Sequence, residues 1–349
     1  MRHTAIALGL MLAATAAQAQ IIEEIIVTAQ KRAENVMDVP IAITAYSGDA
    51  LEKLGTRSLT DIGRFTSGVD MNNNKSLQPT YSIRGVQTND WTIGSDPAVA
   101  VYVDSVYAAR GAGAEAAFVD IERVEVLKGP QGTLFGRNAT GGAIHIITHK
   151  PTQETEGRIK LTGGNYQRRN IEAMYNTPLS DTVALRITGS VLRRDGYVEN
   201  LYGNDVNEEN RKNIRASLLW DAAENTEVIL RAAYEDMDQV SGVTNTLNAG
   251  AFEAANPGES WDAFGAGAWD VPKQQEARKM GSASLEVNHQ IGDMTLTSIT
   301  AWRDVDTKLL EDLDGSNNPM FYFGSSNPEK STFFSQELRL TGATDSLKW

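Results

Sequence analysis

The chain has 349 residues, with 32 basic and 45 acidic side chains, a net charge of -13 and an isoelectric point near 4.9. That balance argues against nucleic acid as a partner, because a duplex-binding protein carries the opposite sign. There is no cysteine and there are only four histidines. Disulfides, thiol catalysis and thiolate metal sites are therefore excluded together, and metalloenzyme chemistry is left with few ligands.

In chain order, Arg2 and His3 give a short polar start, followed by an apolar run over residues 5–17 and the small-residue exit Ala17-Gln18-Ala19. The run is too short to span about 30 Å of hydrocarbon as a helix. With its A-x-A exit it predicts a cleaved signal peptide over residues 1–19 and a mature start at or near Gln20. No later stretch has the length of apolar residues that a membrane helix needs. Export without such a helix leaves the periplasm, the cell surface or a β-barrel.

Residues 20–152 are mixed in character. Residues 47–55 (SGDALEKLG) open on a possible N-cap and close on glycine, which punctuates a short helix, and residues 58–65 (SLTDIGRF) predict a second. Short apolar runs at residues 99–103 and 121–127 predict strands. The glycines at 129, 132, 136, 141 and 142 predict tight turns and close backbone approach. This half is expected to be a compact α+β domain.

From Glu156 onward the pattern becomes one of strands about ten residues long. Val183, Leu185, Ile187, Gly189 and Val191 alternate with Ala184, Arg186, Thr188, Ser190 and Leu192. The same period of two runs through Ile214, Ala216, Leu218 and Trp220, through Val228, Leu230, Ala232 and Tyr234, and less cleanly through Met294 to Trp302. Short turns at residues 178–181, 222–225 and 290–293 alternate with long polar links at residues 194–210, 238–275 and 306–330. Tight turns at one end and elaborate loops at the other are the asymmetry of outer-membrane barrels, and favour a barrel over a soluble sandwich.

Several segments then match one family in its order. Residues 23–29 (EEIIVTA) resemble a TonB box. Residues 82–86 (SIRGV), 99–104 (VAVYVD) and 121–136 (IERVEVLKGPQGTLFG) resemble successive signatures of a plug domain, with residues 138–150 as its closing strand region. Residues 335–340 (SQELRL) resemble a barrel strand. The chain is thus similar to the TonB-dependent outer-membrane receptors over essentially all of its mature length. One departure is His145, where the family often carries asparagine.

The resemblance implies an α+β plug domain followed by antiparallel transmembrane β-barrel strands, about eight of an expected 22. The expected divisions are a signal peptide (1–19), a TonB-box region (20–30), a plug (31–152) and a partial barrel (153–349). An eight-stranded barrel has no room for a plug of this size, so the chain is expected to be the N-terminal part of a longer receptor. The implied partners are TonB with its inner-membrane energising complex, a small-molecule ligand and outer-membrane lipid, with no cofactor and no nucleic acid.

Particular residues carry these expectations. Glu24, Ile25, Ile26, Val27, Thr28 and Ala29 are the expected TonB-binding segment, since β-branched residues suit strand addition to a partner's edge; the alternative is simply the first plug strand. Arg84, Arg123 and Glu125 are carried over from the family as plug–barrel contacts, with ordinary surface charge as the alternative. Glu337 is a possible partner on the barrel. Gln87, Asn89, Trp91, Tyr107 and Arg110 are candidates for ligand contact or plain loop composition. The glycines near residue 136 do not form a phosphate loop, because Arg137 and Asn138 follow where lysine and serine or threonine are required. His145 and His149 in an extended segment would stand about 13 Å apart, too far to share one ion.

The leading function is active, TonB-dependent uptake of a ferric siderophore or similar iron chelate. Cobalamin, a saccharide or an aromatic compound is the alternative cargo. A passive porin and a signalling receptor are the alternatives of another class. An enzyme is disfavoured, as no nucleophile, base and orienting group are recognisable together.

Overall fold

The computed structural model describes residues 25–72, 79–88, 96–108, 118–200, 204–240, 266–267, 275–312, 324–344 and 346–349. Residues 1–24, with Glu24, the expected signal peptide and its cleavage site, lie outside them, as do Asn89, Trp91 and Arg110.

The N-terminal half is built on a five-stranded sheet. Its strands are β3 (Ile43–Ser47), β6 (Val99–Val103), β7 (Val106–Tyr107), β8 (Ile121–Lys128) and β9 (Gly142–Thr148), in the order β3-β8-β9-β6-β7. All pairs are antiparallel except β6 with β9. Two short helices, α1 (Gly48–Lys53) and α2 (Leu59–Phe65), form where capping was expected. Ser47 accepts from the Ala50 N–H and Ser58 from the Asp61 N–H, each satisfying one orphan donor of a helix too short to stand alone. A two-stranded ribbon of β4 (Val69–Asn72) and β5 (Thr80–Ile83) follows, and α3 (Gly132–Phe135) sits between β8 and β9.

The sheet has two covered faces. Val124 and Val126 on β8, Ile144 and Ile146 on β9 and Val99 and Val101 on β6 pack with Leu51, Leu59 and Ile62 of the helices. On the other face, Leu127, Ala143, Ala100 and Tyr102 pack with Val27, Ala29, Val39 and Phe135, so the N-terminal segment itself forms part of the core. Burying each such aliphatic side chain contributes roughly 1.5–3 kcal/mol.

The C-terminal half is an eight-stranded antiparallel wall. Its strands are β10 (Glu156–Gly164), β11 (Arg168–Ser180), β12 (Val183–Arg194), β14 (Glu209–Ala223), β15 (Thr226–Gln239), β17 (Gln275–Ile291), β18 (Met294–Asp312) and β19 (Gly324–Gly342), paired in that order. Two-residue strands β13 (Glu199–Asn200) and β16 (Ala266–Gly267) pair with each other in the long links. The wall is inverted relative to a soluble protein. Leu161, Ile214, Trp220, Leu230, Tyr234, Trp302 and Phe334 are exposed, while Arg186, Thr188, Ser217, Arg231, Glu235 and Arg278 are buried. An apolar outer band and a polar inner face are the pattern of a strand wall in lipid. Among the described residues no helix is long and apolar enough to cross a membrane.

The expected strands and short turns are present, but the third long link is shorter than predicted. β18 runs on to Asp312 and β19 begins at Gly324, with Asp306 directly opposite Lys330 and their charges 3.1 Å apart. Polar composition suggested a loop there, yet cross-strand charge pairs continue the ladder.

Gly142 shows why one glycine is needed. Its φ is +156°, and a Cβ would stand 2.3 Å from the Leu127 carbonyl oxygen and 2.7 Å from Ile83 Cδ1. Gly142→Ala is expected to destabilise the N-terminal domain by about 1–3 kcal/mol, read as faster limited proteolysis within residues 31–152. A variant as protease-resistant as wild type would contradict this.

Candidate functional site

Period two along β6, β8 and β9 places a set of polar side chains on the sheet face that the N-terminal segment covers. Glu125 lies directly across from His145, and His145 directly across from Tyr102. Glu125 is fully buried and His145 nearly so. Over them lies β1 (Ile26–Val27), paired with β2 (Glu34–Asn35) through Ile26 opposite Asn35 and Val27 opposite Glu34.

Besides the burial of Val27 and Ala29, the segment is held by polar contacts. The Thr28 N–H donates to Glu125 Oε1 at 2.8 Å, and the Thr28 hydroxyl reaches the same oxygen at 3.2 Å. Arg123 Nε donates to that oxygen at 2.8 Å, and its Nη2 donates to Thr28 Oγ1 at 3.3 Å. Lys31 lies 3.5 Å from Glu337 on the wall and sits over the rings of Tyr102 and Phe135 at 5.3 and 4.8 Å. Burial lowers the Lys31 ammonium below its ordinary value, opposed by Glu337. Burial pushes the Tyr102 phenol up to about 12, so its hydroxyl stays protonated and donates to the Phe135 carbonyl. Ile25, Ile26, Thr28, His145 and Arg231 line a cavity of about 510 Å³ between this segment, the plug and the wall.

Sequence reasoning missed the charges that join the two halves. Asp120, buried and at φ +58°, accepts from Nε and Nη2 of Arg186 at 2.7 Å each, a bidentate pair, and stands 3.7 Å from Arg215. Arg215 also donates to the Val119 carbonyl at 2.8 Å. Asp104, at φ +48°, lies 3.5 Å from Arg231 and accepts from the Thr148 N–H and hydroxyl at 2.9 Å each. At the rim, Glu52 meets Arg158 and Lys160, and Lys150 meets Glu227. Only the wall half of each pair carried a signal: its arginines occupy the polar register of strands whose other register is apolar.

The candidates separate accordingly. Arg123 and Glu125 contact the N-terminal segment, and among the described residues neither has a hydrogen bond or ion pair to these eight wall strands; their plug–barrel role stands as a proposal. The contact follows from their register, since odd positions of β8 face Val27 and Thr28. Arg84 is exposed, at φ +53°, with its N–H donating to the Gly68 carbonyl and its side chain near Gly129, and no wall contact is described for it. Glu337 faces inward and receives Lys31 and Arg339. Gln87 is exposed. Tyr107 is half-buried, accepts from Asn138 Nδ2 at 2.8 Å and stacks 5.5 Å from Tyr102, so its hydroxyl is already engaged.

His145, to which the sequence attached no role, accepts the Ser105 N–H on Nε2 at 3.0 Å and so braces the Asp104–Ser105 turn. Burial, reinforced by Lys31, Arg123 and Arg339, pushes it down to about 3. In the unfolded chain the ring takes up a proton near 6.5. The stability it contributes is therefore complete above pH 6.5 and declines as pH falls from 6.5 towards 3. His145→Asn should flatten that part of the pH dependence, measured as the denaturation midpoint between pH 7 and pH 4; an unchanged slope would contradict it. Asp120→Asn, which leaves Arg186 buried with half its charge-pair partners gone, is expected to cost about 3–5 kcal/mol. Its readout is release of the plug at lower denaturant, and wild-type retention would contradict it.

A family model described as the TonB-dependent receptor plug domain matches residues 35–143. The iron-regulated outer membrane virulence protein of Vibrio cholerae is 32% identical over 215 residues, covering 57% of this chain and 32% of that protein. The ferrioxamine receptor of Yersinia enterocolitica is 35% identical over 112 residues, covering 32% of this chain and 15% of its own length. The ferripyoverdine receptor of Pseudomonas aeruginosa is 29% identical over 161 residues, covering 46% and 19%. The chain thus spans at most about a third of the length of these curated relatives. In fold, it superposes on the crystal structure of the ferric yersiniabactin uptake receptor FyuA from Yersinia pestis with a TM-score of 0.72 at 22% identity, covering 87% of this chain and 46% of that one. The plug signature, the inverted wall and these relatives agree: residues 35–143 match the plug domain of the TonB-dependent receptors, and the chain as a whole is similar to members of that family.

Proposed function

We propose that this chain is part of an outer-membrane receptor that takes up a ferric siderophore or similar iron chelate, with energy delivered through TonB to residues 24–29. The observation that carries the reading is the attachment of β1. Two residues of ladder, a few polar contacts to Glu125 and Arg123 and the burial of Val27 and Ala29 hold a β-branched strand whose main-chain pairing a partner edge could take over in kind. Strand exchange replaces main-chain hydrogen bonds one for one, so a short segment suffices for coupling. The apolar outer face places the wall in lipid, with the aromatic side chains Trp220, Tyr234 and Trp302 among those it meets.

The cargo reading rests on the relatives. One is iron-regulated and others are receptors for ferrioxamine and ferripyoverdine, which favours an iron chelate over cobalamin, a saccharide or an aromatic compound. Gln87, Asn89, Trp91, Tyr107 and Arg110 remain the proposed ligand contacts on the plug. The process is binding and transport, with no covalent step.

Ile26→Pro tests the coupling, because proline removes a donor and fixes φ. In cells limited for iron, the wild-type receptor should support growth on at least one ferric siderophore supplied as sole iron source. The variant, present in the membrane at equal level, should not. Equal growth of both strains would overturn TonB coupling through this segment, and uptake that survives collapse of the proton-motive force would favour the passive porin.

A further inference from the structure

Among the described residues, the inner face of the wall carries an arginine for which no hydrogen bond or ion pair is described. Arg303 on β18 is 7% exposed, and its Nε and Nη1 have no hydrogen-bond partner. The arginines around it are committed elsewhere: Arg231 to Glu286 at 2.9 Å and Asp104 at 3.5 Å, Arg215 to the Val119 carbonyl, and Arg278 to Glu235 at 2.6 Å. Glu235 is the counter-charge within reach of Arg303, but it is shared with Arg278, and buried polar groups left open point to a water or an ion.

The surroundings favour an ion. A cavity of about 60 Å³ lies against Arg303, between the wall and the turn of the β6–β7 hairpin. Val103 and Val106 close it on the plug side, while Ser282, Ser284 and Arg215 line it from the wall. Ser282 is the direct cross-strand partner of Arg303, on the same inward face, so its hydroxyl is a neighbouring donor. Asp104 is the one carboxylate on the lining, and both its oxygens already accept from Thr148 while Arg231 balances its charge. The uncommitted polarity of the cavity is therefore cationic. Its volume admits a few atoms and excludes a chelate.

We propose that this cavity is a binding site for a small inorganic anion of halide size, held by the Arg303 guanidinium and the Ser282 hydroxyl. Because the hairpin of the plug forms its other side, a bound anion ties plug to wall. Retention of the plug then depends on which anions are present, separately from any cargo.

The test uses the receptor purified in detergent, with thermal unfolding followed in chloride, bromide or gluconate at one ionic strength. Gluconate is too large to enter. Wild type should melt about 2–4 °C higher in saturating chloride or bromide than in gluconate, with a saturable dose response. Ser282→Ala should raise the half-saturating concentration about tenfold, the loss of one hydrogen bond to a charged group. Arg303→Met should lose the dependence on anion while keeping the fold, as an apolar side chain of similar length replaces a buried charge. Crystals grown in bromide should show anomalous density within hydrogen-bonding distance of Arg303. Identical midpoints in all three salts, or an anion effect shared equally by wild type and Arg303→Met, would overturn the site and leave water only in the cavity. Should Arg303→Met fail to fold, the Ser282→Ala titration and the bromide density decide between the same two outcomes.

Discussion

A wall whose covered face is polar can enclose a folded domain only if its buried charges are met, by that domain, by the wall itself or by a bound ion. This constraint organises the molecule. The outer register of the wall is given over to apolar contact with lipid, so the inner register must carry the polar residues, and Arg186, Arg215 and Arg231 are buried there. The plug answers with Asp120 and Asp104, each in a turn whose left-handed backbone aims a short carboxylate outward from the end of a sheet strand. Such pairs are strong once formed and leave a costly buried charge if only one partner departs. They therefore fix the plug in one orientation, which a greasy interface of the same area would do less specifically.

The N-terminal segment follows different rules. It contributes apolar side chains, Val27 and Ala29, to the second core of the plug, yet its polar hold is concentrated on one carboxylate oxygen of Glu125. Arg123 binds both that oxygen and the Thr28 hydroxyl, so the two charged residues act as one clamp. The clamp depends on the register of β8. A one-residue slip would turn Arg123 and Glu125 towards the helices and bury Val124 and Val126 beneath the segment instead.

How much of this was legible follows from what a linear pattern can encode. The N-cap at Ser47 and the two short helices were visible because capping and helix punctuation are local, and the wall strands because period two survives over ten residues. The plug–wall pairs were not legible, since Asp104 and Asp120 look like ordinary turn residues and their partners lie between 66 and 127 positions away. Family resemblance marked Arg123 and Glu125 as charged and important, and the side of β8 on which they fall adds a contact the sequence did not suggest, with the N-terminal segment. His145 was passed over for a related reason: a lone histidine in a strand carries no signal until the turn it braces is seen.

The hairpin of β1 and β2 has a mechanical consequence. Its two ends, Ile26 and Asn35, lie side by side, and the Val36 N–H still donates to the Ile25 carbonyl just beyond them. A force entering from the N-terminal side, with the plug anchored after β2, separates the strands like a zipper and loads one rung at a time. Strands pulled along their length would share the load across all rungs at once. The threshold for detachment is then set by the strongest single rung met in turn, not by the sum of all rungs, with the Thr28–Glu125 contact as the last.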